Sequence, residues 1–450
     1  MKRFAEPAAR RTLLGSAARR RAAVVKAAAV PAAAALAAAV AWTAGGPPSA
    51  ADEPQPDAPV AAADWPQWRG PSRDGQAPLE PAWGAKIDAE TLVEVWRKPL
   101  GPSYSGPIVA GNRVFATETR DQKSEVVTAF DRETGESLWH AEWEGALQVP
   151  FFAASNGSWI RATPACDGER LYVAGIRDVL ACLDARDGRE LWRIDFAEKY
   201  ATPPPAFGFV SSPLVDGDFV YVQAAESFVK LDKRTGEVAW RTAVDAGESM
   251  NSAFSSPIKG LLGGRELLIV QTRESLKGVA IDSGAELWSQ NIQAFRGMNI
   301  LTPTLYGGAL FTSAHSGRTQ LWNLSPDGAS LAEAWSQPAQ AYMGSPVVIG
   351  DYAYLHLRNQ RFCCIDLRTG EEAWRTKPFG KYWSLVAQGD RLLALDETGD
   401  LRLIEANPAE FRLLDARHVA DSSTWAHLAV SGDHVFVRAL DSLIAYRWAR

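Results

Sequence analysis

Nine residues, DLRTGEEAW at 366–374, decide the fold, because close relatives of this stretch recur elsewhere in the chain. The other copies read DKRTGEVAW at 232–240, DRETGESLW at 131–139 and DARDGRELW at 184–192. In every copy Trp stands eight residues after Asp, and Gly stands four residues after it. Self-similarity of this kind predicts a repeat architecture.

Tryptophans extend the repeat beyond these four copies. Successive members of the series are 43, 53, 48, 48, 47 and 39 residues apart. Periods of about 40 to 50 residues are typical of four-stranded propeller blades. We expect each ring to dock between two neighbouring blades, because Trp buries a large apolar area. The predicted docking residues are Trp96, Trp139, Trp192, Trp240, Trp288, Trp335 and Trp374.

A second marker sets the register of the units. A Pro followed four residues later by Gly precedes alternating apolar runs such as 219–222. The nine-residue stretch then predicts a hairpin between the third and fourth strands of a unit. Asp accepts hydrogen bonds from backbone amides in the turn, and Gly supplies a positive φ. The marker prolines are Pro107, Pro164, Pro213, Pro303 and Pro346.

Eight such units can be counted along the chain. The seventh lacks the Trp, and the eighth ends after its third strand, whereas residues 92–98 form a single strand with no partners of their own. We therefore predict an all-β fold, an eight-bladed β-propeller of four-stranded antiparallel blades, closed by this N-terminal strand. Seven blades is the alternative if the seventh unit does not form. The units are 105–139, 162–192, 211–240, 255–288, 302–335, 345–374, 384–413 and 425–448.

The first fifty residues have the features of a targeting segment. Residues 1–50 hold eight Lys or Arg and one acid, and Arg10-Arg11 resembles a twin-arginine export signal. An apolar stretch at 27–44 precedes Pro48-Ser49-Ala50, a small-residue cleavage site. We predict export to the periplasm or cell envelope, with an uncleaved N-terminal membrane anchor as the alternative.

The remaining sequence divides into a linker and a body. Residues 51–63 are rich in Pro and Ala, which is typical of a flexible linker, and 64–450 form the predicted propeller with its N-terminal WPQWRGP segment. Residues 51–450 carry 39 basic and 52 acidic side chains, so the body is a poor partner for nucleic acid. Four cysteines are too few for a disulfide scaffold in a chain of this length.

The closing pattern D-x-x-T-G-E-x-x-W resembles the tryptophan-docking repeat of pyrroloquinoline quinone (PQQ) dehydrogenases and their non-enzymatic relatives. This is the quinoprotein alcohol dehydrogenase-like superfamily, and the repeat is also similar to those of WD40/YVTN-like propellers. The resemblance covers roughly residues 90–448. Residues 64–75, DWPQWRGPSRDG, resemble the segment that precedes the propeller in secreted PQQ-like repeat proteins. That resemblance implies a segment folded against the propeller rim, with Trp65 and Trp68 as anchors.

The resemblance also implies that the first strand of each blade lines a central channel. The residue directly before each marker Pro, or its equivalent, is tiny or hydroxylic except His427, and the residue three before is uncharged except Arg161. Both are candidates for binding an anionic or carbonyl-bearing ligand. In the alternative, Arg161 pairs with an acid and His427 fills a gap. The outer ring is Tyr104, Arg161, Val210, Phe254, Ile300, Met343, Tyr382 and Trp425, and weaker candidates in the same loops are Trp159, Asn251, Asn299 and Trp383.

Enzymatic members of this superfamily imply PQQ and Ca²⁺ as cofactors. Their quinone is commonly held beside an adjacent-cysteine disulfide, but Cys363-Cys364 falls on a predicted third strand, away from the axis. With no acidic cluster in the ring and no metal-ligand spacing, we predict no catalytic residue, no metal site and no cofactor.

The leading hypothesis for function is an exported, monomeric, non-catalytic scaffold. It resembles the BamB-type propeller of the outer-membrane assembly machinery, and we expect it to bind another envelope protein or a peptide. The apolar insertions at 141–159 and 193–209 favour docking surfaces over catalytic loops. The alternatives are a PQQ- and Ca²⁺-dependent dehydrogenase, and a saccharide or small-molecule binder that uses the aromatic funnel.

Overall fold

A computed structural model describes residues 64–244 and 252–449. They form eight separate four-stranded antiparallel sheets arranged as the blades of a propeller, which confirms the predicted fold, including the seventh blade. The predicted export signal, the linker and Asn251 lie outside the described residues. Within the described ranges, no helix is long and apolar enough to cross a membrane.

The chain builds the first four complete blades from consecutive hairpins, after an isolated strand β1 (Leu92–Pro99). Blade one contains β2 (Ile108–Ala110), β3 (Arg113–Arg120), β4 (Ser124–Asp131) and β5 (Ser137–Glu144). Blade two contains β6 (Ala165–Cys166), β7 (Arg170–Gly175), β8 (Val179–Asp184) and β9 (Glu190–Asp195). Blade three contains β10 (Leu214–Asp216), β11 (Phe219–Ala224), β12 (Ser227–Asp232) and β13 (Val238–Thr242). Blade four contains β14 (Ile258–Leu262), β15 (Arg265–Gln271), β16 (Ser275–Val279) and β17 (Glu286–Asn291).

The second half repeats the same order. Blade five contains β18 (Thr304–Tyr306), β19 (Ala309–Ser313), β20 (Thr319–Leu324) and β21 (Leu331–Gln337). Blade six contains β22 (Val347–Ile349), β23 (Tyr352–His356), β24 (Phe362–Asp366) and β25 (Glu372–Arg375). Blade seven contains β26 (Ser384–Gln388), β27 (Arg391–Leu395), β28 (Asp400–Glu405) and β29 (Arg412–His418). Blade eight contains β30 (Ala429–Ser431), β31 (His434–Ala439) and β32 (Ser442–Trp448). The short helical pieces in the described chain are α1 (Phe196–Tyr200) and two 3-10 turns, Phe151–Asn156 and Phe295–Gly297.

Strand β1 completes blade eight, as predicted. It pairs antiparallel with β32, from Leu92 opposite Trp448 to Pro99 opposite Ser442. Leu92 and Trp96 of this strand are both buried in the core shared by blades seven, eight and one. The N-terminal strand therefore covers the edge that β32 would otherwise expose.

The repeated nine residues shape both the turn and the seam between blades. In blade one, Asp131 accepts hydrogen bonds from the amides of Glu133 (3.0 Å) and Thr134 (2.8 Å), and Gly135 has φ +67°. The ring of Trp96 lies against Gly135 so closely that a Cβ there would be 2.6 Å from it. Only Gly satisfies the positive φ and the close approach together.

Six of the seven predicted docking tryptophans also donate their indole N–H to a backbone carbonyl of the next blade. The seventh, Trp288, is buried against Gly278 of its own blade, and its Nε1 has no partner among the described residues. The donor–acceptor pairs are Trp96–Arg132 (2.9 Å), Trp139–Ala185 (3.1 Å), Trp192–Lys233 (3.1 Å), Trp240–Ile281 (3.2 Å), Trp335–Leu367 (2.7 Å) and Trp374–Asn407 (2.8 Å).

The WPQWRGP segment crosses the inner strands instead of lying on the rim. We name residues 64–84 the channel segment. This position differs from the prediction because the segment bonds to the innermost strands of blades on opposite sides of the ring. Its contacts include Trp65 N to Val109 O (3.1 Å), Arg73 Nη1 to Pro213 O (2.7 Å), Trp68 Nε1 to Thr302 Oγ1 (3.0 Å) and Ala77 N to Ala387 O (2.7 Å).

Two buried carboxyl groups join neighbouring blades. Glu125 accepts hydrogen bonds from Ile176 N (2.7 Å) and Trp143 Nε1 (2.8 Å), and Asp178 accepts one from Ala225 N (2.8 Å). Burial raises the pKa of both side chains to about 7, although these hydrogen bonds oppose the rise. Each group thus keeps a proton in the folded state over a pH range where the unfolded chain releases it.

Stability should therefore fall as pH rises from about 5 to about 7. In this window the folded state binds more protons than the unfolded state, so each group lowers the free energy of unfolding by about 1.4 kcal/mol per pH unit. Urea unfolding of Asp178→Asn should show a flatter pH profile than the wild type. The exposed Asp218→Asn is the control and should keep the wild-type slope. An unchanged slope in Asp178→Asn would contradict this assignment.

Candidate functional site

A cavity of about 390 Å³ opens where the inner strands begin, and we call it the funnel. All eight residues of the predicted outer ring line it, so the proline register placed them correctly on one surface. Trp68 of the channel segment also lines the funnel, from the side on which that segment crosses the inner strands. The lining ring residues are Tyr104, Arg161, Val210, Phe254, Ile300, Met343, Tyr382 and Trp425.

Four serines of the predicted inner ring line the funnel at a deeper level. Each Oγ accepts a hydrogen bond from the backbone N–H of a neighbouring blade. Serine therefore fits these positions for two reasons, because it is small and because it bonds to the next blade. Because the oxygen accepts, the hydroxyl hydrogen of each serine is left to donate. The pairs are Ser212 with Thr163 N (3.0 Å), Ser256 with Ser212 N (2.9 Å), Ser345 with Thr302 N (3.0 Å) and Ser384 with Leu428 N (2.8 Å).

Aromatic rings cover much of the funnel wall in two groups. One group joins three of the sequence candidates, because Trp425 stacks on Tyr104 and meets Tyr382 edge-on. The other group consists of phenylalanines from the two apolar insertions and from the start of blade four. Centroid separations are 4.8 Å for Tyr104–Trp425, 4.5 Å for Tyr382–Trp425, 6.1 Å for Phe152–Phe207 and 5.6 Å for Phe207–Phe254.

Arg161 points its guanidinium along this aromatic wall. Its Nη2 donates to Gly157 O (2.8 Å), and its Cζ lies 5.3 Å from the centroid of the Tyr104 ring. Neither contact is with a carboxylate, so within the described ranges the predicted alternative of an acid partner is not observed. Desolvation by burial lowers the pKa of Arg161 from its ordinary value, with Tyr104 opposing the shift.

His427 lines the funnel as a neutral imidazole. Its Nδ1 donates to Leu428 O (2.9 Å), which leaves Nε2 as an acceptor with no partner among the described residues. Burial and the charge of Arg69 lower its pKa to about 3. Trp68 meets the imidazole edge-on at 4.9 Å between centroids. His427 therefore packs against the channel segment and still presents one acceptor.

Two further arginines, Arg273 and Arg296, line the funnel and were missed from the sequence. Arg273 follows β15 in the hairpin that leads to β16, and Arg296 lies in the 3-10 turn before blade five. The signal that could have found Arg273 is topological. Because strands alternate in direction, the hairpin after a second strand returns to the face where the first strand begins.

Two of the weaker sequence candidates lie behind the wall. Asn299 is buried and donates through Nδ2 to Arg273 O (2.7 Å) and Ile292 O (3.2 Å), so it supports the loop that carries the arginines. Trp159 meets Tyr104 edge-on at 5.2 Å but does not line the funnel, whereas Trp383 does. The described funnel residues thus include both candidates that the sequence predicted and an arginine-bearing loop that the sequence did not predict.

The described lining does not fit a Ca²⁺–quinone centre. Ca²⁺ takes six to eight oxygen ligands, usually including carboxylates, and no Asp or Glu is among the described lining residues. Over the described ranges, no group of three or more His, Cys, Asp or Glu side chains could hold a metal. Cys363 and Cys364 are buried free thiols in β24, outside the funnel lining.

Comparison with known proteins finds relatives that are similar in sequence to more than half of this chain. BamB of Yersinia pestis is 25% identical over 309 residues, covering 61% of this chain and 75% of that protein. BamB of Escherichia coli is 27% identical over 274 residues, covering 56% and 67%. Both relatives are named outer membrane protein assembly factors.

Solved structures share the fold at lower identity. BamB from Moraxella catarrhalis aligns with a TM-score of 0.57 at 15% identity, over 80% of this chain and 98% of that one. A europium-containing methanol dehydrogenase aligns with a TM-score of 0.64 at 11% identity, over 86% and 98%. A family model described as outer membrane protein assembly factor BamB matches residues 84–144 and 122–376. This chain therefore belongs to the BamB family of PQQ-like β-propellers.

Proposed function

We propose that the protein is an exported, non-catalytic propeller that binds another envelope protein or a peptide through the funnel face. The observation that carries this proposal is a set of exposed phenylalanines at the mouth. Phe151, Phe152 and Phe295 are 90%, 49% and 45% exposed. Phe152 and Phe295 line the funnel, and the Phe151 ring lies 5.7 Å from that of Phe152.

These phenylalanines differ from the other exposed apolar side chains. Every other large apolar residue that the described chain exposes is aliphatic, for example Leu261 in β14 and Leu413 in β29. Exposed apolar patches on a rigid scaffold mark interaction surfaces, and aromatic residues are enriched in protein interfaces. The assembly role named for the relatives supports a protein partner, and the funnel lining supports binding more readily than acid–base chemistry.

The proposed location follows from residues 1–50. Under this proposal they direct the protein to the periplasm or cell envelope by the twin-arginine route, and are then removed or kept as a membrane anchor. The body works there as a monomer. N-terminal sequencing of protein recovered from soluble envelope and membrane fractions separates the two fates. An intact N-terminus in the cytoplasmic fraction would contradict export.

Site-specific photo-crosslinking tests the docking surface in living cells. A photoreactive residue at Phe151 should give one or a few adducts of discrete mass with envelope proteins, because this ring projects into solvent. The control position is Leu413, which is 47% exposed on the outermost strand of blade seven. No adduct at 151, identical adducts at both positions, or adducts with cytoplasmic proteins alone would each contradict the proposal.

A further inference from the structure

We propose that the funnel, beneath the phenylalanine mouth, binds a carboxylate carried on an apolar body, and that Arg161, Arg273 and Arg296 hold it. This goes beyond the docking of a partner on the rim, since it assigns a ligand site to the interior of the ring. The expected ligand is an anion that accepts hydrogen bonds and donates few hydrogen bonds. It is read from charge, hydrogen-bond polarity and the shape of the described wall.

Charge is the first argument. Three arginines line the funnel, and no acidic residue stands among its described lining residues. Nε of Arg161 and both Nε and Nη1 of Arg273 are buried without a hydrogen-bond partner among described residues. Arg273 is only 9% exposed. Burying an unmatched guanidinium is costly unless an anion completes it, so these groups are arranged as one side of an ion pair.

The loop around Arg273 holds its side chain in position. Its Nη2 donates to Arg296 O (2.9 Å), and Asn299 Nδ2 donates to Arg273 O (2.7 Å). Gly297 has φ +67°, and a Cβ at this position would be 2.9 Å from Arg273 Nε. The loop therefore closes directly onto the guanidinium. A side chain fixed in this way loses little conformational entropy when it binds.

Hydrogen-bond polarity is the second argument, because arginine and serine donors are numerous among the described lining residues. Each hydroxyl hydrogen of Ser212, Ser256, Ser345 and Ser384 is left to donate, because the oxygen accepts a backbone N–H group. The unpartnered acceptor identified in the lining is Nε2 of His427. A carboxylate presents acceptors only.

The wall supplies the apolar half of the recognition. Tyr104 and Trp425 form a stacked pair on one side, and Phe207 and Phe254 pack together on the other. Aromatic walls around a few converging polar groups are typical of small-ligand pockets, and 390 Å³ lies in the usual size range for them. The rings contact an apolar ring or chain while the arginines hold its carboxylate.

Calorimetric titration of the full-length protein tests this proposal with matched probes. Naphthalene-1-acetate should bind, and the neutral isostere naphthalene-1-acetamide should bind at least about tenfold more weakly, since the carboxylate makes charge-assisted hydrogen bonds that the amide cannot. Laurate and lauryl sulfobetaine form a second pair, with and without net negative charge. Preference for laurate or for naphthalene-1-acetate distinguishes an aliphatic body from an aromatic one, and either preference supports the site.

Variants connect the binding to the arginines. Arg161→Gln should weaken naphthalene-1-acetate binding by about tenfold or more, and Arg273→Lys should weaken it less than Arg273→Gln because Lys keeps the charge. Arg234→Gln, in the exposed turn of blade three, is the control and should bind as the wild type does. Equal binding of acid and amide, no binding by either carboxylate, or full affinity in Arg161→Gln would overturn the proposal. Crosslinking from Phe151 does not depend on Arg161, so this proposal and the docking proposal can fail separately.

Discussion

A chain that begins at residue 99 is expected to lose cooperative unfolding and to aggregate, whereas a chain that begins at residue 64 remains a soluble monomer. The shorter chain lacks β1, so β32 becomes an open sheet edge that can pair with another molecule. It also loses the buried side chains of Leu92 and Trp96 from the core of the closing blade. Light scattering and urea unfolding of the two chains measure the difference.

A circular permutant separates ring closure from the loss of the channel segment. Leu92 lies opposite Trp448, so a short turn can attach residues 92–98 after the C-terminus as the last hairpin of blade eight. This permutant lacks residues 64–84 and still has a closed ring, and we expect it to regain solubility and cooperative unfolding. A cooperative, soluble chain from residue 99 alone would contradict the closure argument.

Trp374→Ala should lower the free energy of unfolding by about 3 kcal/mol or more, because it removes a large ring from the seam between blades six and seven. The ring lies 5.7 Å from both Phe362 and Phe411, measured between centroids, and its Nε1 donates to Asn407 O (2.8 Å). The substitution leaves a cavity and an unpaired carbonyl. Urea unfolding monitored by circular dichroism measures the loss.

Two further variants divide this effect into its parts. Trp374→Phe keeps most of the apolar contact and loses the hydrogen bond, so it should cost about 1 kcal/mol for the bond in addition to the smaller ring. The exposed Leu413→Ala on the neighbouring blade should change stability by less than about 0.5 kcal/mol. A midpoint of urea unfolding that is unchanged in Trp374→Ala would contradict the docking role of this residue.

The candidate site was predictable to the extent that it follows the repeat. Each ring residue stands three positions before the proline, or its equivalent, that leads into an inner strand. This local spacing repeats from blade to blade, so Tyr104, Arg161 and Trp425 could be assigned to one ring. Arg273 and Arg296 belong to loops whose lengths differ from blade to blade. These loops share no periodic pattern, so only the structure shows that they line the funnel.

The channel segment shows the same limit for the fold. Its tryptophans suggested anchors, but nothing in DWPQWRGPSRDG indicates that Trp68 reaches Thr302, which is 234 residues away. A non-repeating segment has a single copy, so no internal comparison reveals its partners. Whether the segment lies on the rim or in the channel depends on which buried polar groups it can bond to. One of these is the carbonyl of Pro213, which accepts a hydrogen bond from Arg73.

By itself the sequence determined the number of blades, their register, the strand that closes the ring and the tryptophans at six of the seams. These are repeated, local features, and a Trp eight residues after Asp has the same role each time it recurs. Only the tertiary structure decided that three arginines share one cavity without a described acid, and that Trp68 and His427 meet at its lining. The physical reason is that converging strands bring together residues from distant blades. Their charges and unpaired hydrogen-bonding groups form a binding site only when they lie close to one another.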